Sequence, residues 1–151
     1  MDNDLYQEVI LDHYRNPRNF CSLDCPTHKA CGSNPLCGDQ LELALKVEDG
    51  VIAEIAFKGS GCAISQASAS LMTEHLKGRT VEEALKVFEE VHRMLTGKHP
   101  EELDEEEMGK LIALSGVAEF PMRVKCASLA WHTLKNALEQ NNTEPVSTES
   151  S

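Results

Sequence analysis

The sequence predicts an α+β domain in which helices pack on a small antiparallel sheet, and three observations predict it. Apolar and polar residues alternate over residues 40–48 and again over residues 51–57, which is typical of two half-buried strands. Asp49 and Gly50 between them are typical of a tight hairpin turn. The other periodic segments have helical spacing, and strands that are segregated from helices along the chain indicate an α+β fold.

The segment before the hairpin predicts one helix, one long loop and a third strand. Apolar residues recur at helical spacing over residues 4–16, with an N-cap at Asn3 or Asp2. Residues 18–36 contain Pro, Ser, Asn and Gly without periodicity, which indicates a long loop. Because a two-stranded hairpin alone is only marginally stable, we also expect a third strand around residues 34–37.

The chain after the hairpin predicts four helices. The first is rich in Ala and Ser, which allow close packing against a neighbouring element. Thr80 and Glu83 form the pattern of a capping box at the start of the second. The predicted helices cover residues 62–76, residues 80–95, residues 104–113 and a stretch from Arg123 or Lys125 to residue 140.

The composition predicts one globular domain without a membrane span. The chain has 151 residues, of which 41% are hydrophobic and 26% are charged, as is typical of a domain with one core. We expect this domain to cover residues 1–140, followed by a disordered polar tail over residues 141–151. No long apolar run is present, and the N-terminus lacks the features of a signal peptide, so a cytoplasmic location is expected.

The net charge of −11 bears on the choice of partner. A protein that binds nucleic acid needs a basic surface, and this sequence shows none. We therefore expect no nucleic acid and no membrane among the partners. A protein partner that carries a basic patch fits the charge better.

Three cysteines occupy positions that would expose a thiol: Cys37 directly before the first strand, Cys62 at a helix start, and Cys126 in the predicted first turn of the last helix, beside Lys125. Helix N-termini and neighbouring cations lower the pKa of a thiol and favour the thiolate, which binds metal or attacks sulfur. Asp39 lies two residues after Cys37, and three thiolates with one carboxylate can fill a tetrahedral zinc shell. The alternatives are a reduced core residue for any single cysteine and a turn residue with local backbone hydrogen bonds for Asp39.

A second group of possible ligands lies in the predicted long loop. Cys21, Cys25, His28 and Cys31 have the ligand types of a small zinc site, but their spacing matches no standard zinc finger. We interpret them either as a second zinc site or as exposed or half-buried free thiols. In a cytoplasmic chain, six cysteines are more typical of ligands or reactive thiols than of disulfides.

Two short motifs are specific to one family of proteins. They are Asn-Pro-Leu-Cys-Gly-Asp at residues 34–39 and Gly-Cys-Ala-Ile-Ser-Gln-Ala-Ser at residues 61–68. With them the chain resembles, from about Leu5 to Leu138, the IscU/SufU/NifU N-terminal family of iron–sulfur cluster assembly proteins. The resemblance implies an α+β fold with a three-stranded sheet and an exposed metal site. The ligands of that site match Cys37, Asp39, Cys62 and Cys126.

The residue before the last cysteine favours the SufU branch of this family. In the IscU branch a histidine stands there, whereas this chain has Lys125, with Arg123 two residues earlier and a longer stretch between Cys62 and Cys126. SufU-like proteins are zinc-dependent sulfur acceptors for a PLP-dependent cysteine desulfurase, SufS. The resemblance therefore implies Zn²⁺, a SufS-like partner and downstream Suf scaffold proteins. It implies further that Cys37 accepts the persulfide sulfur while the other three ligands keep the zinc.

The sequence leaves two alternatives for the role of Arg123 and three for the overall function. Arg123 is expected either to assist the Cys37 thiolate or to form a surface salt bridge. An iron–sulfur scaffold would build a cluster on the same cysteines and would be coloured, whereas a zinc protein is colourless. A structural zinc domain would have no thiol chemistry, and loss of Cys37 would only destabilise its fold.

Overall fold

The computed structural model describes residues 3–35, 37–96, 105–118, 120–139 and 146–147. In these ranges the chain forms α-helices, a 3-10 segment and one sheet. The helical elements are α1 (Asn3–Arg15), α2 (Ala63–Leu76), α3 (Val81–Leu95), α4 (Glu105–Met108), the 3-10 segment (Gly109–Val117) and α5 (Pro121–Leu138). The strands are β1 (His28–Asn34), β2 (Asp39–Glu48), β3 (Val51–Ser60) and β4 (Val146–Ser147).

The sheet has the strand order β3-β2-β1-β4, and its first three strands are antiparallel. β4 pairs with β1 in parallel through two residues. The predicted α+β class with a three-stranded antiparallel sheet is thereby confirmed. Asp49 (φ 52°) and Gly50 (φ 77°) both have left-handed backbone angles, which is the geometry of the predicted hairpin turn.

The third strand lies earlier in the chain than predicted. β1 occupies part of the predicted long loop and ends at Asn34, so the expected strand is wrong at Pro35 and Cys37, while residue 36 lies outside the described residues. The buried positions of β1 are Ala30, Gly32 and Asn34, which lack the large apolar side chains that make alternation visible. Gly32 lies so close to α5 that a Cβ there would collide with the side chain of Thr133. Small residues on this strand therefore let α5 approach the sheet.

One face of the sheet packs against α2 and α5 and forms the core. Leu43, Phe57 and Trp131 are at most 1% exposed there. The Trp131 indole Nε1 donates to Ser68 Oγ at 3.2 Å, and that hydroxyl donates to the Ala127 carbonyl at 2.6 Å. Because Ser68 lies in the part of α2 that is rich in Ala and Ser, the predicted close packing of this helix is observed. The contact brings the first turns of α2 near the first half of α5.

The last helix begins earlier than predicted. α5 starts at Pro121, so the predicted start at Arg123 or Lys125 is wrong. Proline is favoured at the first helical position because it lacks an N–H that would find no partner there. Cys126 is therefore the sixth residue of the helix and lies in its second turn.

The predicted acidic helix is α-helical for only four residues, in α4. Gly109 has a left-handed φ of 53° where α4 gives way to the 3-10 segment. The predicted tail over residues 141–151 lies outside the described residues except for β4, and its disorder stays a prediction. In the described ranges, no helix is long and apolar enough to cross a membrane.

A buried histidine joins α1 to α2. His13 is fully buried, with Nδ1 2.8 Å from Ser70 Oγ and Nε2 3.7 Å from Glu74 Oε1. Arg18 Nε lies 3.6 Å and Lys110 Nζ 3.8 Å from the same carboxylate. Glu74 therefore connects α1 and the loop after it with α2 and the 3-10 segment.

Acidification is expected to destabilise the protein through His13. Burial lowers the pKa of His13 below its ordinary value of 6.5, and the charges of Arg18 and Lys110 lower it further, against the opposing effect of Glu74. Below pH 6.5 the unfolded chain therefore binds a proton that the folded chain excludes. The free energy of unfolding is then highest above pH 6.5 and falls as the pH falls from there toward the folded pKa.

Urea denaturation over a series of pH values measures this effect. The variant His13→Asn is expected to show a flatter pH dependence than the wild type. Gln7→Asn, at an exposed and uncharged residue of the same helix, is the matched control and is expected to keep the wild-type slope. Parallel curves for His13→Asn and the wild type would contradict the prediction.

Candidate metal centre

The first candidate ligand lies in the tight connection between β1 and β2. The Cys37 N–H donates to the Asn34 carbonyl at 3.2 Å, which closes a turn. Gly38 follows with φ 70°, a left-handed angle that glycine adopts at no steric cost. Cys37 is half-buried, so its thiol is held near the sheet end but stays accessible from outside.

The second candidate ligand, Asp39, is the first residue of β2 and is only 1% exposed. Its Oδ1 accepts a hydrogen bond from the Cys62 N–H at 2.8 Å, and its Oδ2 lies 3.8 Å from Cys62 Sγ. Gly61 makes this approach possible, because a Cβ at that position would meet the Asp39 side chain. The expected alternative, a carboxylate that bonds its own turn, does not describe this contact, since it joins residues from different elements.

Cys62 is the N-cap of α2, as its predicted place at a helix start requires. The Cys62 sulfur accepts a hydrogen bond from the Ser65 N–H at 3.4 Å. An acceptor at the N-cap position provides a partner for one of the N–H groups that have no intrahelical acceptor in the first turn. The backbone of α2 therefore fixes the direction of this third candidate ligand.

Cys126 completes the group from α5, in an environment that differs from the predicted one. It is 3% exposed, and its thiol lies 3.2 Å from Cys37 Sγ. Burial raises the pKa of the Cys126 thiol far above its ordinary value, and the neighbouring thiols of Cys37 and Cys62 and the Asp39 carboxylate raise it further. The expectation of a lowered pKa at a helix start is wrong, because the residue lies in the second turn and faces the core.

Three of these four side chains form a group that could hold a metal ion, and Cys62 adjoins that group through Asp39 without belonging to it. Ligand atoms of Cys37, Asp39 and Cys126 all lie within 4.8 Å of one another. Two ligands bound to one tetrahedral ion at zinc–sulfur distances are roughly 3.8 Å apart. The distance from Cys62 Sγ to Asp39 Oδ2 is 3.8 Å, and the distance from Cys37 Sγ to Cys126 Sγ is 3.2 Å. A buried carboxylate among three thiols is an unfavourable arrangement on its own, and a cation reverses this by stabilising the ionised forms.

Arg123 does not contact the candidate ligands. Its guanidinium lies over the Phe120 ring, 4.6 Å from the ring centroid. Across the described part of the chain it makes no hydrogen bond or ion pair. Neither expected role, assistance to the thiolate or a surface salt bridge, is therefore formed in this conformation.

The loop cysteines are not gathered into a second centre. Cys21, Cys25 and Cys31 are exposed, and no three side chains of the group that they form with His28 meet within 4.8 Å in the described ranges. The reason is that β1 begins at His28, which makes residues 28–34 extended. His28 and Cys31, three residues apart on one strand, then point to opposite faces of the sheet.

We expect the double variant Cys25→Ser with Cys31→Ser to bind as much zinc per chain as the wild type. Metal analysis of the purified proteins measures this ratio. Cys62→Ser is the matched control, and its zinc content is expected to fall. Loss of one zinc per chain from the double variant would show that the loop does bind metal.

Asn34 is a residue of the site to which the sequence analysis assigned no role. It is fully buried, and its side-chain Nδ2 donates to Cys126 Sγ at 3.6 Å. The sequence feature that points to a role at the site is the position of Asn34 in the motif at residues 34–39, three residues before Cys37.

An α+β fold that brings two cysteines and an aspartate together at one sheet end, with a third cysteine beside the aspartate, defines the class of this protein, a thiol-rich domain with a candidate metal site. The sequence profile of the NifU-like N-terminal domain matches residues 5–127, and the chain belongs to this family of iron–sulfur cluster assembly proteins. The predicted family is thereby confirmed.

Named relatives include both branches of the family. The chain is 40% identical to the zinc-dependent sulfurtransferase SufU of Bacillus subtilis, over 89% of each chain. It is 44% identical to the iron–sulfur cluster assembly scaffold protein IscU of Thermotoga maritima, over 90% of this chain and 94% of the relative. A similar solved structure is a scaffold protein for the SUF system from Fervidobacterium islandicum AW-1, with a TM-score of 0.82, 35% identity, and coverage of 91% of this chain and 99% of that one.

Proposed function

We propose that this chain is a zinc-dependent sulfurtransferase that accepts persulfide sulfur from a PLP-dependent cysteine desulfurase on Cys37. The observation that carries the proposal is the unequal anchoring of the four candidate ligands. Asp39 is fixed by the Cys62 N–H, Cys62 by the Ser65 N–H, and Cys126 by burial in α5. In the described ranges, the Cys37 sulfur has one hydrogen-bonding partner, the Cys126 thiol of the same centre. Cys37 is therefore the ligand that leaves the centre at the lowest cost.

The proposed reaction is a thiol–persulfide exchange. Zinc, when bound, supplies the positive charge that keeps the cysteines ionised. The Cys37 thiolate attacks the outer sulfur of the desulfurase persulfide, a new S–S bond forms on Cys37, and the old S–S bond breaks with its electron pair on the desulfurase thiolate. No oxidant is consumed, because one sulfane sulfur moves between two thiols. Downstream Suf scaffold proteins would then take the sulfur from Cys37.

The surface beside the centre supports a protein as the sulfur donor. A groove with a volume of about 360 Å³ lies between α1, the start of α2, the 3-10 segment and the start of α5. Ile64, Val117 and Arg123 are among the residues that line it. Phe120 and Met122 at the start of α5 are 46% and 47% exposed. Apolar surface of this kind is typical of protein–protein contacts. In the proposal, Arg123 leaves Phe120 when the partner binds and assists the Cys37 thiolate.

One further feature of the chain supports the SufU-type role: Lys125 stands where the scaffold branch is expected to have a histidine. We propose a cytoplasmic location as well, because thiols stay reduced there and all six cysteines are free.

The proposal is tested by persulfide mapping. Zinc-loaded protein is incubated with the matching desulfurase and cysteine, persulfides are trapped by alkylation, and peptides are analysed by mass spectrometry. We expect one additional sulfur on Cys37 and none on Cys21, Cys25 or Cys31, with Cys31 and Cys37, which share a tryptic peptide, distinguished by fragment ions. Absence of the modification from Cys37 in zinc-loaded protein would contradict the proposal.

The similarity to an IscU scaffold protein favours a second candidate function, assembly of an iron–sulfur cluster on the same cysteines. Absorption spectroscopy separates the two functions. The sulfurtransferase is expected to be colourless as purified and to exclude iron after anaerobic incubation with iron and sulfide. A brown protein that keeps its visible absorption through gel filtration would favour the scaffold.

A further inference from the structure

Asn34 adjoins three of the four candidate ligands, although none of its own atoms belongs to the ligand set. Its side-chain Nδ2 donates to Cys126 Sγ at 3.6 Å. Its backbone carbonyl accepts from the Cys37 N–H at 3.2 Å. In the register of β1 and β2 it is the cross-strand neighbour of Asp39. One buried residue therefore touches the connection that carries Cys37, the strand that carries Asp39 and the sulfur that α5 supplies.

The side-chain amide of Asn34 is only half satisfied. Its Oδ1 is buried, and no donor in the described part of the chain reaches it. A buried amide with an unpaired oxygen is unfavourable compared with an apolar side chain of similar size, so packing alone does not explain an asparagine here. The half of the amide that is bonded is the N–H donor, and it faces a sulfur.

We propose that Asn34 is a positioning residue of the metal centre, whose side-chain N–H donates to the metal-bound sulfur of Cys126. A hydrogen bond of this kind fixes the direction of the sulfur and withdraws electron density from it. Through its carbonyl the same residue closes the turn that presents Cys37. The inference rests on metal binding by Cys126 in the proposed function, and it gives Asn34 no direct bond to the metal.

The variant Asn34→Leu removes the donor and keeps a similar side-chain volume. Zinc affinity is expected to fall about 10- to 100-fold, as is typical for loss of a partner that orients a metal ligand. In the cobalt-substituted protein, the sulfur-to-cobalt charge-transfer band is expected to move to lower energy, because the sulfur becomes richer in electrons. Asn136→Leu is the matched control: it removes a side-chain amide whose buried Nδ2 has no partner among the described residues, from α5 roughly 15 Å beyond Cys126, and should change neither quantity.

Two outcomes separate a positioning role from a structural one. Asn34→Leu with a lower unfolding midpoint but unchanged zinc affinity and an unchanged cobalt band would overturn the inference. If the variant does not fold, the wild type decides: in protein loaded with NMR-active cadmium, we expect a scalar coupling between the metal and the Asn34 side-chain amide protons across the hydrogen bond. Bound cadmium without that coupling overturns the role of Asn34, whereas failure to bind either cadmium or zinc overturns the metal centre itself.

Discussion

Replacing Cys37 with alanine is expected to abolish the stimulation of a cysteine desulfurase by this protein. The reason is that Cys37 supplies the attacking sulfur, whereas the Cys126 side chain is buried and the Cys62 sulfur accepts a hydrogen bond from the Ser65 N–H. The measurement is the rate of sulfide release from cysteine by the desulfurase. Zinc-loaded wild-type protein should raise this rate strongly. With the variant it should stay at the rate of the desulfurase alone.

The matched control for this experiment is Cys31→Ala. Cys31 is an exposed thiol on β1, so its loss removes a cysteine without touching the centre. It should stimulate the desulfurase like the wild type. Stimulation by Cys37→Ala at the wild-type level would contradict the proposed acceptor, and a zinc measurement on both variants would show whether loss of metal explains any deficit.

Removal of the metal is expected to lower the melting temperature by roughly 10 °C. Without a cation, Asp39 and Cys126 stay buried as polar side chains that have lost the metal ion they would share. A ligand at about a thousand times its dissociation constant stabilises a fold by about 4 kcal/mol. In a chain of this size, each kcal/mol corresponds to about 2–4 °C.

Thermal unfolding followed by circular dichroism measures this shift in zinc-loaded, chelator-treated and zinc-restored protein. Magnesium, which prefers oxygen ligands, is the control ion and should not restore the melting temperature. Asp39→Ala should show a smaller difference between the loaded and metal-free forms. Equal melting temperatures with and without zinc would contradict a buried zinc site at these residues.

The parts of the fold that the sequence predicted correctly are those that local patterns determine. β2 and β3 carry large apolar residues at every second position, so their inward faces are visible in the sequence. The capping box of Thr80 and Glu83 is formed as predicted, because it needs only four consecutive residues. β1 was misplaced because its inward residues are small, and they are small because α5 packs directly on them.

In the candidate centre, too, local patterns predict some features and long-range packing determines the others. Cys37, Asp39 and Cys62 lie next to glycines or a helix start, which local sequence reveals. The environment of Cys126 was not predictable, since its burial depends on where α5 begins and on what packs around it. The contact between Asn34 and Cys126 joins residues 92 positions apart, and no local pattern reports a contact of that kind.

The order in which the ligands occur along the chain has a consequence for biosynthesis. The contact between Cys37 and Cys126 spans 89 positions, so most of the chain must be translated before the centre can close. A nascent or truncated polypeptide that stops within the 3-10 segment carries three of the candidate ligands but lacks the helix that supplies the fourth. A complete set of candidate ligands would then form only after α5 has been translated. Truncated chains would bind the metal less tightly and would not transfer sulfur.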